Sequence, residues 1–371
     1  MPGGTCSAGA EVRLERLTKS FAAVKAVDDL SLAIPSGSFV TLLGPSGSGK
    51  TTTLNLVAGF LTPDSGEIQF DGKAVSAVPP HRRNIGMVFQ SYALFPHMNV
   101  FDNVAYPLRM RERLSRVAIA DRVAETLALV RLSGFEDRYP RQLSGGQQQR
   151  VSMARAIVSR PRLLLMDEPL GALDKKLREQ LQGEIRQIHQ TIRTTFLYVT
   201  HDQSEALTMS DLVVVMHNSR IAQVGTPRDV YETPVNTFVA DFLGGANLLK
   251  GEIAGQRDGS SMVRLANGRM VLAAGSGSRL ASGSAVCVFV RPEDIRVDPV
   301  EPPGDDRTGT PGVIREIVYL GDAFRVVAVV GEQTVAARVE RATAAGLEPG
   351  RGVFLSWPTQ RSRALSPMNE Q

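Results

Sequence analysis

The chain runs to 371 residues, 43% of them hydrophobic and 22% charged, with a formal net charge of +4. That length exceeds one comfortable core and that composition belongs to ordinary globular proteins, so two or more domains are expected and the disordered and collagen-like classes are excluded. Two distant cysteines, Cys6 and Cys287, no signal-peptide pattern and no apolar run of about 18 residues argue against a disulfide scaffold and predict a chain neither exported nor membrane-spanning.

From Val12 to about Val224 short β-branched runs alternate with helical patterns. This is the signature of an α/β domain on a largely parallel sheet, expected over residues 11–240 with a helical subdomain at about 91–160. The apolar run 39–43 leads into a glycine-rich turn. Stripes of Val123, Leu127 and Val130, and of Leu177, Leu181, Ile185 and Ile188, predict helices with core-facing sides. The run 163–166 ends on Asp167 and Glu168, and the run 195–199 delivers His201. Open α/β sheets hold ligands at such carboxyl ends of strands. A hairpin over 212–224 closes the domain, and 226–249, with a helical segment around Phe238, Val239 and Phe242 and a break at Gly244 and Gly245, reads as a connector. Over 241–371, short β-branched runs broken by Gly, Pro and Asp predict an all-β, barrel-like domain. Its stretch 299–312 is expected to be a long loop, or a linker between two small β units.

Gly44, Pro45, Ser46, Gly47, Ser48, Gly49, Lys50 and Thr51 fit the phosphate-loop pattern GxxxxGK[ST], after a strand and before a helix, with Thr52 following. Glycines let backbone amides crowd around phosphate oxygens, Lys50 balances the β/γ charge, and the Thr51 hydroxyl can hold Mg²⁺. Asp167 stands where a carboxylate reaches that metal, and Glu168, pointing elsewhere, suits the activation of an attacking water. An acidic pair at a strand end is otherwise a solvated terminus or a helix cap, and the phosphate loop tips the reading toward ATP hydrolysis. His201 is placed to touch a γ-phosphate, although a lone histidine is more often structural. Ser144, Gly145, Gly146 and Gln147 open a second helix with an anion-binding end. One nucleotide does not need two such ends, so Ser144 is expected to meet ATP held by a second copy, giving a dimer with nucleotide at the seam.

Taken in order, the phosphate loop, Gln90, 143–147, 163–168, Asp174 and His201 resemble the ATP-binding subunits of ABC transporters, over essentially the whole chain. The resemblance implies that Phe21 stacks on adenine, with a buried strand phenylalanine as the alternative. It further implies that Gln90 joins Thr51 and Asp167 around Mg²⁺ and the reacting water, and that Asp174 lies in the loop between subunits. By the same likeness residues 91–108 receive a membrane subunit, although local packing claims some of their aromatics.

No membrane domain is fused to the cassette, which favours a separate importer subunit on the cytoplasmic face of the cell membrane. Such a subunit works with two membrane-spanning permease subunits and, indirectly, an extracytoplasmic solute-binding protein. The segments 290–294 and 318–322 resemble the OB-type, transport-associated β domain of importers. Those at 171–180 and 238–244 look most like the spermidine/putrescine group, although importers of ferric iron, sugar, sulfate and opines share the texture. A non-transport ABC ATPase is the more distant alternative. Nucleic acid is not an expected partner: residues 247–371 carry 15 Lys and Arg against 14 Asp and Glu, a net of +1, with no basic groove.

Overall fold

The structure is a computed structural model that describes residues 9–111, 114–171, 173–275, 281–301 and 307–367; Cys6 and Ala172 lie outside them. The chain divides into two compact units, Met1–Pro227 and Arg228–Gln371.

The first unit holds β1 (Val12–Phe21), β2 (Val24–Ile34), β3 (Phe39–Leu43), α1 (Lys50–Ala58), β4 (Ser65–Phe70), β5 (Lys73–Ala74) and β6 (Ile85–Val88). It continues with α2 (Val100–Arg111), α3 (Arg116–Leu129), α4 (Gly145–Ile157), β7 (Leu163–Asp167), α5 (Lys175–Ile192), β8 (Thr195–Thr200), α6 (Gln203–Met209), β9 (Leu212–His217) and β10 (Arg220–Gly225). Strands β2-β1-β4-β5 form an antiparallel sheet, and β10-β9-β3-β8-β7-β6 a second sheet that is parallel except for the edge strand β10. Because β3 lies between β8 and β9, all five of its residues are buried, which is why it reads as an unbroken apolar run. One core packs α1 between the sheets through Leu54, Leu56 and Val57. A second joins the far face of the parallel sheet to α2, α3, α4 and α5. Helices α2 to α4 fall within the stretch 91–160.

The second unit begins with α7 (Pro227–Glu232) and α8 (Thr237–Phe242), inside the stretch read as a connector and before the expected boundary at 240/241. They are fixed rather than linking: the buried Arg291 guanidinium donates from Nη2 to Tyr231 O at 2.8 Å and from Nη1 to Ala240 O at 3.0 Å. Then come β11 (Asn247–Arg257), β12 (Ser260–Leu265), β13 (Met270–Ala274), β14 (Ala285–Val290), β15 (Arg296–Asp298), β16 (Arg307–Tyr319), β17 (Ala323–Val330), β18 (Gln333–Glu340), β19 (Gly352–Pro358) and β20 (Ser362–Leu365). Strands β11-β12-β13-β20-β14 close a barrel, and β15-β19-β16-β17-β18 add a five-stranded sheet. One core around Trp357, Val288, Ile314 and Leu355 serves both.

The stretch 299–312 is neither wholly loop nor linker. Residues 302–306 lie outside the described set, but from Arg307 onward it is strand, paired with β19. Pro311 is tolerated because β16 meets β17 only from Val313 on, so at Pro311 the ladder is one-sided. Among the described residues no helix is long and apolar enough to cross a membrane.

Candidate functional site

Gly44 turns the chain out of β3, and no side chain fits there. A Cβ on Gly44 would come within 2.4 Å of the Met216 carbonyl oxygen, and one on Gly49 within 2.3 Å of the Ala26 carbonyl oxygen. Gly49 also has φ +97°, which glycine adopts without strain. It caps α1 without any side-chain hydrogen bond, leaving the first-turn amides of that helix open to an anion. Lys50 is buried, and its Nζ donates to Gly44 O at 2.9 Å and Pro45 O at 2.8 Å. Burial lowers its pKa, against the pull of the Glu168 and Asp167 carboxylates. Ser48 Oγ is buried with no protein partner, a hydroxyl that a phosphate oxygen would satisfy. These features fit a nucleotide polyphosphate.

Asp167 ends β7, and its Oδ1 accepts from Thr51 Oγ1 at 3.0 Å. Burial raises the Asp167 pKa, while the Thr51 bond lowers it. A hydroxyl and a carboxylate meeting beside a phosphate loop form the oxygen donor set that a hard divalent cation takes.

Glu168 follows at φ +42°, a left-handed conformation uncommon for a residue with a Cβ and one that clusters at functional sites. Its amide donates to Val199 O at 3.0 Å, which holds the residue against the end of β8. The turn aims the carboxylate at the next strand end, with Oε2 3.1 Å from His201 Nδ1. Gln90 comes to the same place: a methyl group built on Gly171 would lie 3.9 Å from Glu168 Oε2 and 4.0 Å from Gln90 Nε2. Phe21 is 49% exposed at the end of β1, not a buried strand residue, with Lys19 Nζ 5.9 Å from its ring centroid.

The turn at 144–147 forms a capping box on α4: Gln147 N donates to Ser144 Oγ at 3.4 Å and Ser144 N to Gln147 Oε1 at 2.9 Å. Gly145 is exposed at the start of that helix, whereas Gly146 is buried and a Cβ there would lie 3.1 Å from Leu177 Cδ2. Asp174 caps α5, accepting from Leu177 N at 3.0 Å. The structure thus gathers Lys50, Thr51, Gln90, Asp167, Glu168 and His201. It ties 144–147 and Asp174 to their own helices, with no described hydrogen bond to the phosphate loop. Arg178, whose guanidinium reaches both Leu173 O and Asp202 Oδ2 at 3.0 Å, joins this neighbourhood with no advance signal in the sequence.

A phosphate loop after a central parallel strand, with a carboxylate pair and a histidine on the next two strand ends, defines a P-loop nucleoside-triphosphate-binding domain. Comparison with known proteins narrows this. The ABC transporter family model matches residues 27–171 and the TOBE domain model residues 288–365. The chain is 49% identical over 357 residues to the spermidine/putrescine import ATP-binding protein PotA of Rubrobacter xylanophilus, covering 95% of this chain and 93% of that one. It is 48% identical to the protein of the same name from Acidothermus cellulolyticus, covering 92% and 89%. Among solved structures, the dimeric ABC transporter cassette MJ0796 matches with a TM-score of 0.54 at 32% identity, over 58% of this chain and 99% of that chain. The same cassette in a post-hydrolysis state bound to ADP and Pi matches with a TM-score of 0.53 at 30% identity, covering 58% and 99%. The chain belongs to the ATP-binding proteins of ABC importers: an ATP-hydrolysing cassette followed by a TOBE domain of OB type.

Proposed function

We propose that two copies of this chain close around two ATP molecules at the cytoplasmic face of the cell membrane, and that closure drives a pair of permease subunits to take up a polyamine. An extracytoplasmic solute-binding protein delivers that cargo. The observation carrying the catalytic part is the convergence of Glu168, His201 and Gln90 beside the Thr51–Asp167 pair.

On nucleotide binding, Lys50 exchanges its loop carbonyls for phosphate oxygens. The 44–52 turn and the α1 amides orient the β- and γ-phosphates, and Phe21 offers its exposed ring to the adenine. Thr51, Asp167 and Gln90 would hold Mg²⁺, which supplies charge neutralisation at the β- and γ-oxygens. Glu168 takes a proton from water as the water attacks phosphorus in line, and the bond from phosphorus to the β–γ bridging oxygen breaks, leaving ADP. His201, held through Nδ1 by Glu168, keeps Nε2 for the γ-phosphate. The partner's α4 turn closes the far side of the same phosphate, and Asp174 lies in the loop that crosses the seam.

The polyamine assignment rests on the names of relatives that match almost end to end. The same ATPase serving another solute is the rival reading. Copurification of the tagged chain with its membrane subunits, then labelled-spermidine uptake in proteoliposomes with the binding protein, decides between them. Uptake that requires ATP is expected. ATP hydrolysis with no spermidine uptake would keep the ATPase and reassign the cargo.

A further inference from the structure

The loop that leaves β7 is tied at both ends to the same dipeptide. At its start Glu168 Oε2 meets His201 Nδ1 at 3.1 Å. At its end the carbonyl of Leu173 accepts from Arg178 Nη2 at 3.0 Å, and Arg178 Nη1 donates to Asp202 Oδ2 at 3.0 Å. Asp202 is the residue after His201. It is itself fixed: its amide donates to Thr200 Oγ1 at 3.0 Å, and its Oδ1 caps α6 by accepting from Ser204 N at 2.8 Å and Glu205 N at 3.2 Å. Arg178 Nε has no hydrogen-bond partner, and the buried Glu205 carboxylate lies 4.0 Å from it. A planar guanidinium spans two acceptors in different directions at once, which a lysine ammonium on a flexible stem does less well.

Resting on the reading of Glu168 and His201 as the hydrolytic pair, we propose that Arg178 is a positioning residue for hydrolysis. It couples the setting of His201 against Glu168 to the conformation of the loop that ends at Asp174. Its guanidinium acts through Asp202 on one side and the Leu173 carbonyl on the other. When the loop shifts as a second copy seats against it, the guanidinium carries that shift to the residue beside the histidine. The distance that matters is then the one between His201 and Glu168.

The test compares full-length wild-type protein with Arg178→Gln, Arg178→Lys and Glu168→Gln. ATP affinity is measured by equilibrium titration with a fluorescent nucleotide, and single-turnover hydrolysis at saturating Mg·ATP. Arg178→Gln is expected to bind ATP within about twofold of wild type and hydrolyse it about 10- to 100-fold more slowly, the cost of a misplaced catalytic group. Arg178→Lys should recover part of that rate, and it decides the matter if the glutamine variant does not fold. A purely structural role would lower the melting temperature and reduce binding and hydrolysis together, and that result overturns the proposal. So does a wild-type hydrolysis rate in either folded variant. Glu168→Gln separates the two readings: wild-type hydrolysis there sinks the base assignment, whereas its collapse alongside an unaffected Arg178→Gln removes only the positioning role.

Discussion

Lys50 sits in this structure as a buried cation bonded to two carbonyls of its own loop, with Asp167 and Glu168 the charges acting on it. Exchanging those carbonyls for phosphate oxygens turns hydrogen bonds to neutral acceptors into charge-assisted ones, which are stronger. Lys50→Ala should therefore weaken ATP binding by about 1.5–3 kcal/mol, roughly 10- to 150-fold in Kd. Nucleotide titration of the folded variant checks this, and wild-type affinity would remove Lys50 from the phosphate site. At this scale the loop's part of the site was readable from the chain, because GxxxxGK[ST] fixes both its conformation and its chemistry. The left-handed backbone of Glu168 was not readable, nor was the approach of Gln90 to it, since both depend on where β6, β7 and β8 end relative to one another.

Helix α5 shows what periodicity delivers and what it omits. Of the stripe predicted at 177, 181, 185 and 188 the last three are buried and Leu177 is half-buried, but His189 is buried too, its Nε2 3.0 Å from Gly37 O and its ring centroid 4.8 Å from that of Phe196. Burial lowers its pKa, only partly offset by Asp211 and the Gly37 bond. The folded state therefore holds this imidazole neutral where the unfolded chain begins to take up a proton, below about pH 6.5. The unfolded state binding more protons means stability rises with pH, so the His189 contribution is complete above about 6.5 and is lost as pH falls toward the folded value. His189→Gln keeps a donor for Gly37 and cannot titrate. The drop in melting temperature between pH 7.5 and 5.5 should be smaller in that variant, by up to about 1.4 kcal/mol of stability per pH unit removed. Equal slopes in thermal melts of the two proteins would count against the account. In the second unit the alternating runs announced strands and a barrel. They did not announce the added β15-β19-β16-β17-β18 sheet, because Gly309, Pro311 and Gly312 early in β16 mimic a loop while their backbone is paired on one side. The helical segment around 238–242 was legible and is α8, but α7 was not, nor was the anchoring of both, since the arginine that fixes them is fifty to sixty residues further on.

One chain carries two glycine-led helix N-termini, α1 without a side-chain cap and α4 capped by Ser144, and only α1 stands with the carboxylate pair. In the proposed dimer the α4 end serves the nucleotide bound by the other copy. Glu168→Gln should then bind ATP, fail to turn it over, and accumulate as a dimer, because the positions of the amides survive while water activation does not. A second substitution tests whether α4 forms the seam. Gly145 has room for a side chain, a Cβ there meeting Leu173 Cδ2 at an ordinary 3.6 Å, and a carboxylate in the first helical turn favours the helix itself. Gly145→Asp should thus leave the fold intact while setting a negative charge against the γ-phosphate. In the Glu168→Gln background it should preserve nucleotide binding and abolish the doubling of mass seen by size-exclusion chromatography with light scattering. A persistent ATP-dependent dimer would mean that α4 does not close on nucleotide, and the two helix ends of this chain would need separate explanations.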